Sequence, residues 1–389
     1  MIIAGIISEY NPFHAGHKYH IEKTRSETNC DYVVACMSGA FTQRGEMAFM
    51  DKFDRVRMAL QGGCDAVFEL PQECAVRPAE WFARGGVSVL DQIGCDVLSF
   101  GTESGDKDEL FRLFHLLSEE PEEIKSKIRE GLLKGMTLAR ARGEALKDIC
   151  PGLENMPNLS LALEYLASLK ILKSKMDVCV IKRTAPYHAQ KADKGLSASE
   201  IRMSVQNGNA QWAIDNMPEE VRDEFQSSLF GGVSEKARMD SVFLHILRTM
   251  SPGDREQLPD AGEGLSERIY QKAQTAVSLE DLIESVKCKR YTRARITRVI
   301  AAAVLKMQKE APKEAPYARL LGFRRESAPL IKELDKRSNG KIISSPDAVR
   351  TLPAFLTEMR ATDLWGLSAQ GGRYRKAGRE CTEKFIVIG

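Results

Sequence analysis

No apolar run in this chain approaches the roughly 18 residues that a membrane span requires, and its first residues form a strand-like segment without a basic leader. Neither a span nor an export signal is expected, so the chain is placed in the cytoplasm with no membrane and no protein partner implied. Cysteine patterning is also missing: nine cysteines stand singly at 30, 36, 64, 74, 95, 150, 179, 288 and 381, with no Cys-x-x-Cys and no histidine at zinc-finger spacing. Such an odd, unpatterned set predicts reduced core thiols, not disulfides or structural zinc, and no metal site is expected. Internal repeats and low-complexity tracts are absent. The formal net charge is only +2, a sum that conceals an uneven distribution.

What is present begins with size, since 389 residues leave room for a large core and two or three domains of about 100–200 residues. The first two hundred residues alternate strand and helix. Apolar runs at Met1 to Ser8, Tyr32 to Met37, Ala66 to Leu70, Val97 to Phe100 and Met176 to Ile181 read as strands. Helical patterns lie between them, at His17 to Glu27, Phe53 to Gln61, Trp81 to Ile93, 105 to 150 and Leu159 to Leu172. This alternation predicts an α/β fold, a parallel sheet covered by helices on both faces, with ligands collecting at the C-terminal ends of the strands. Beyond about residue 215 β-branched apolar runs become scarce, and Ser251 to Leu265 reads as a loop. Residues 1–215 are therefore expected to form one α/β domain, and 235–389 a helical domain with a basic tail at Gly371 to Lys376.

The most informative stretch is Glu9-Tyr10-Asn11-Pro12-Phe13-His14-Ala15-Gly16-His17. It places two of only six histidines around a glycine at a strand-to-helix turn. A helix N-terminus offers unpaired N–H groups and partial positive charge, and Gly16 lets the backbone approach an anion with no Cβ in the way. His14 and His17 can then donate to phosphate oxygens and stabilise charge that develops on an α-phosphate under attack. The plain alternative is a pair of surface loop histidines.

Other loops fall at strand ends. Ser38-Gly39-Ala40-Phe41-Thr42-Gln43-Arg44-Gly45 is polar and glycine-flanked, richer in donors than a neutral connection, though a surface loop with a solvated Arg44 is the simpler reading. Asn158 stands where an N-cap commonly stands. Arg183 is placed for a fork-like contact with a phosphate, or is a surface arginine. Leu196-Ser197-Ala198-Ser199-Glu200-Ile201-Arg202 precedes a helix and contains a capping box.

Between Lys287 and Arg325 twelve lysines and arginines face two acids, Glu310 and Glu314. The run Lys289-Arg290-Tyr291-Thr292-Arg293-Ala294-Arg295-Ile296-Thr297-Arg298 is suited to a phosphate backbone, with Tyr291 available to stack on a base. It also carries a core-facing stripe at helical spacing, Ile296, Val299, Ile300, Ala303, Val304 and Met307, so a solvated helix face is the competing reading.

The histidine segment resembles the HIGH signature of the nucleotidylyl transferase superfamily, which includes adenylyl transferases and class I aminoacyl-tRNA synthetases. A closer resemblance covers nearly the full length. The histidine segment, Met37-Ser38-Gly39-Ala40-Phe41-Thr42-Gln43-Arg44-Gly45, Phe100-Gly101-Thr102-Glu103 and the serine turn recur in this order in the bacterial tRNA(Met) cytidine acetate ligase family. That resemblance implies a Rossmann-like nucleotidylyl transferase (HUP-type) domain. It implies activation of acetate by ATP to acetyl-adenylate, release of pyrophosphate, and acylation of N4 of the wobble cytidine, position 34, of elongator tRNA(Met), with AMP as the second product.

The resemblance also assigns roles. Catalysis falls to His14, His17 and Arg202. ATP contacts fall to Ile7, Ser8, Glu9, Tyr10, Asn11, Pro12, Phe13, His14, Gly16, His17, His20, Gly101, Asn158, Arg183, Ser197 and Ser199. Ser38, Gly39, Gln43 and Arg44 would lie near acetate and the incoming cytidine, and Lys289, Arg290, Tyr291, Arg293, Arg295 and Arg298 against the tRNA. Mg²⁺ would escort the nucleotide. The synthetases carry lysines in the loop equivalent to the serine turn; here Lys191 and Lys194 lie only upstream, so a lysine contact to the leaving pyrophosphate is left open. Two alternatives stand beside this expectation: a nucleotidylyl transferase for a small molecule, which has no use for the basic region, and a non-catalytic RNA-binding protein on a relic nucleotide fold.

Overall fold

The computed structural model describes residues 1–119, 121–136, 138–150, 153–183 and 197–389. Five parallel strands build the main sheet: β1 (Ile3–Ser8), β2 (Tyr32–Ser38), β3 (Ala66–Leu70), β4 (Val97–Thr102) and β5 (Asp177–Lys182), in the order β5-β4-β1-β2-β3. Their apolar runs are continuous because both faces are covered. In β2 the two-residue period separates the cores: Val34 and Cys36 enter one, Val33, Ala35 and Met37 the other. Helix α1 (Ala15–Thr28) and α2 (Lys52–Gln61) cover the second face, while α4 (Ala79–Gln92), preceded by the short α3 (Gln72–Ala75), and α8 (Pro157–Leu172) cover the first. Residues between β4 and α8 are helical as expected, in α5 (Lys107–Glu119), α6 (Glu122–Leu133) and α7 (Leu138–Ala145). Cys36, Cys64, Cys74, Cys95 and Cys150 are buried.

After β5, α9 (Ala198–Gln206), α10 (Ala210–Asp215) and α11 (Glu219–Gly231) lead to a helical cluster: α12 (Asp240–Thr249), α13 (Pro252–Glu256), α14 (Leu265–Ala273), α15 (Leu279–Val286) and α16 (Arg293–Leu305). The expected loop at 251–265 thus contains one short helix, α13, whose Ser251 and Asp254 form a capping box with proline at the first turn.

The C-terminal region departs from a purely helical domain. β6 (Ala318–Arg324) joins the main sheet antiparallel to β3, and β7 (Ile342–Ile343) and β8 (Ile386–Ile388) pair with β6. The reason is visible in β6: Leu320 and Leu321 point to opposite faces, each 3% exposed, one in each core, and the strand satisfies the backbone edge of β3. Helices α17 (Ala328–Arg337), α18 (Pro353–Ser368) and α19 (Arg379–Thr382) complete the chain. The sheet is therefore finished by residues from the far side of the expected 215–235 boundary. No helix among the described residues is long and apolar enough to cross a membrane.

Candidate active site

The chain runs β1, β2, β3 toward one edge and then returns to place β4 and β5 on the other side of β1. Strand order reverses between β1 and β4, which opens a crevice beyond their carboxyl ends. The turn after β1, the Thr102–Glu103 corner after β4, Arg183 after β5 and the start of α9 all border it.

His14 is the N-cap of α1. Its Nδ1 accepts from the Gly16 N–H at 3.0 Å, and the His17 Nδ1 accepts from the His14 N–H at 3.2 Å. Each Nδ1 is an acceptor, so each neutral ring carries its proton on Nε2 and presents a donor away from the helix end. The rings lie 3.8 Å apart, centroid to centroid. Burial, followed by the charges of Arg183 and Arg202, lowers the His14 pKa to about 4. Burial and the neighbouring His14 and Arg183 hold His17 well below its ordinary value, and burial with Arg183 lowers His20 to about 4. The pair therefore meets an anion as two neutral N–H donors. Gly16 is required by the fold-back of His14, because a Cβ there would sit 2.8 Å from the His14 Cε1.

The remaining residues of the segment divide by burial. Tyr10 and Phe13 are core pegs at 2% and 0% exposure, Pro12 is buried, and Ile7 packs on Gly86 of α4. Tyr10 adopts a left-handed φ of 44°, with its hydroxyl 3.6 Å from the Cys64 sulfur. These side chains shape the turn and are turned into the cores. The Ser8 hydroxyl is buried beneath the turn, on the side of Tyr10. Asn11 accepts from the Phe49 N–H with Oδ1, and from Arg202 Nη1 with its carbonyl at 2.6 Å. His20 Nε2 lies 3.1 Å from the Ser99 hydroxyl.

Arg202 thus reaches from α9 to the histidine turn, and its Nη2 donates to the Ser199 hydroxyl. Ser197 caps α9 reciprocally with Glu200. Asn158 is not the N-cap of α8, which is Met156. Instead Glu103 supplies the cap, accepting from the Asn158 N–H and Nδ2 and the Leu159 N–H at 2.8–3.0 Å. That fixes Asn158 against Glu103, two residues after Gly101, over which the exposed Arg183 side chain lies. Leu196, Lys191 and Lys194 fall outside the described residues.

Ser38 and Gly39 are buried, so neither side of this loop start meets solvent. Gln43 is tied down, its N–H donating to Glu9 Oε1 at 2.6 Å and its Nε2 to the Arg77 carbonyl. Arg44 alone of the four is exposed. Burial raises the Glu9 pKa against the Gln43 N–H and the charges of Arg55, Arg44 and Arg202. Sequence reasoning missed Arg55, which is 0% exposed on α2 and donates to the carbonyls of Glu9, Ser38, Gly39 and Met50. It also missed Glu103 and Thr297. An arginine on the core-facing side of an amphipathic helix was the available signal for Arg55.

The basic segment differs from its expected form. Tyr291 is 6% exposed and donates to the Glu263 carbonyl, so it offers no face for stacking a base. Arg293 forms a two-pronged pair with Glu280, Arg295 pairs with Asp260 and Glu263, and Arg298 with Asp260. Lys289 and Arg290 are exposed, and neither forms an ion pair among the described residues.

Residues 1–380 match the family described as HIGH Nucleotidyl Transferase. The tRNA(Met) cytidine acetate ligase of Acetivibrio thermocellus is 34% identical, covering 100% of both chains, and that of Thermoanaerobacter sp. strain X514 is 36% identical, covering 95% of this chain and 96% of its own. Among solved structures, apo Thermotoga maritima TmcAL superposes with a TM-score of 0.90 at 28% identity, and TmcAL bound with alpha-thio ATP with 0.90 at 30%, each covering 100% of both chains.

Proposed function

This chain belongs to the tRNA(Met) cytidine acetate ligase family of HIGH nucleotidyl transferases, and from that premise we propose the two-step reaction that its crevice supports. The protein is an ATP-dependent ligase. ATP lies with its phosphates over the α1 N-terminus, where the Nε2–H groups of His14 and His17 and the Arg202 guanidinium converge. An acetate oxygen attacks the α-phosphorus, the bond to pyrophosphate breaks, and acetyl-adenylate forms. The N4 amine of cytidine 34 in elongator tRNA(Met) then attacks the acetyl carbonyl. A C–N bond forms, AMP leaves, and the amine proton passes to solvent.

The first step is positioning and charge stabilisation, work for fixed donors that need no reorganisation. AMP is a good leaving group, which removes the demand for a strong base in the second. Mg²⁺ arriving with ATP would be held by phosphate oxygens and water. Among the described residues the one group of three metal-capable side chains, Glu69, Glu358 and Glu380, surrounds the Lys52 ammonium instead.

The observation that carries the reading is the pair of tautomerically fixed, neutral imidazoles at a helix N-terminus in the β1/β4 crevice. The test is incubation with ATP, labelled acetate and total bacterial tRNA, followed by nucleoside analysis. ATP-dependent label in N4-acetylcytidine is the expected result. Pyrophosphate release with another small acid or phosphate ester, and no label in RNA, would replace it with the small-molecule transferase.

A further inference from the structure

A second cavity, of about 300 Å³, lies on the other side of the loop after β2. One wall is Phe41, Gly45, Glu46 and Met47, and the others come from α12 with the residues before it, α15 and α16. Its floor is apolar, with Phe41, Phe243, Ile283 and Ile300 each no more than 6% exposed. Its rim is polar: Lys236 pairs with Glu46 at 3.1 Å, and Arg293 with Glu280 at 2.6 Å. The loop is shared with the crevice. Glu9 holds the Gln43 N–H from the crevice side, and the Thr297 hydroxyl donates to the Arg44 carbonyl from the cavity side. Adjacent residues of one loop thus face two sites, and acetate activation uses only the first.

We propose that this cavity receives a nucleobase of the RNA substrate, splayed out of the same single-stranded loop as the cytidine whose amine enters the crevice. The proposal rests on the tRNA reading above. Sequence-specific recognition of single-stranded RNA works by unstacking bases, seating them on aromatic side chains and hydrogen-bonding their edges. The buried floor closes the cavity, and the more open Leu279 and Ala237 supply the apolar contact. Glu46 and Glu280 on the rim accept from exocyclic amines, and Lys236 and Arg293 donate to ring nitrogens and carbonyls. Lys289 and Arg290, a few residues before Arg293 and without ion pairs among the described residues, supply positive charge for the flanking phosphates. Pockets of this size and mixed lining commonly sit where two packing units meet, and here the catalytic loop meets the helical cluster.

Ala237 lines this cavity, is exposed, and touches no part of the proposed crevice chemistry, so Ala237→Trp fills the cavity from its rim. Two quantities are measured: acetate-dependent exchange of pyrophosphate into ATP without RNA, and KM for tRNA in acetyl transfer. A set of anticodon stem-loops, each lacking one loop base, is assayed in parallel. The variant is expected to keep its exchange rate, which also reports its folding, while KM for tRNA rises about ten-fold or more, the worth of one hydrogen bond to a charged group. One abasic stem-loop should lose a similar factor on the wild-type protein and lose nothing further on Ala237→Trp. Unchanged KM in the variant, or equal losses for every abasic RNA on both proteins, overturns the proposal. Absence of acetylated RNA with the wild-type protein instead overturns the tRNA reading on which it rests.

Discussion

At the scale of single residues the site depends on protonation states set by burial. His14, His17 and His20 are held neutral, with His14 and His20 near pKa 4. Their folded values lie below the unfolded value of 6.5, so as pH falls the unfolded chain takes up these protons first. Their contribution to stability is complete above pH 6.5 and is lost as pH drops toward 4. Urea unfolding measured from pH 7 to pH 4.5 should show this decline, and a His14→Asn/His20→Asn variant should show a shallower one; identical slopes would contradict the assignment. The turn was legible in the sequence, because His14, Gly16 and His17 are neighbours and a turn between strand and helix is a local event; the burial that keeps the rings neutral was not. Arg202 and Asn158 were legible only in part. Their partners, the Asn11 carbonyl and the Glu103 carboxylate, lie far away in sequence, and no short-range pattern records such pairs.

At the scale of elements the decisive piece is the loop after β2, which bridges the crevice and α16. Gly45 has φ +75°, and a Cβ there would lie 2.5 Å from the Arg298 backbone nitrogen. Both constraints act on Gly45→Ala, so the loop must leave α16. The left-handed conformation alone costs about 1–2 kcal/mol for a residue with a Cβ. Lower stability in urea unfolding and a raised KM for tRNA are expected, and wild-type values for both would show that the loop seat is dispensable. The strands and helices of the first half were readable to within a few residues, since apolar runs of two-faced burial and 3.6-residue stripes are intrinsic to each segment. The seat of Tyr291 was not, since a tyrosine in a basic run looks alike whether its ring stacks on RNA or fills a core.

At the scale of the whole molecule, the C-terminal residues both complete the sheet and lock it. Lys52 on α2 lies among Glu69 of β3, Glu358 of α18 and Glu380 of α19, and Arg319 of β6 donates to Glu69 and Glu380, all of them buried. Burial, followed by repulsion from Glu69, pushes the Glu358 pKa well up, against the attraction of Lys52. Removing one member strands the others: Lys52→Met should cost about 3–5 kcal/mol in unfolding free energy, far more than an isosteric change at the surface. A loss below 1 kcal/mol would contradict this view of the network. Charged residues scattered from position 52 to 380 carry no local sign of convergence, and the β6 segment was read as part of a helical region. The expected domain boundary reflected composition; the sheet edge at β3 required a partner from anywhere in the chain.

The most direct measurement is acetate-dependent exchange of labelled pyrophosphate into ATP, without RNA, for the wild-type protein and for His14→Ala and His17→Ala. The account predicts exchange by the wild type and a loss of about 10²–10³-fold in each variant, the usual effect of removing one fixed donor to developing charge. Undiminished exchange in either variant, or none in the wild type, would contradict it.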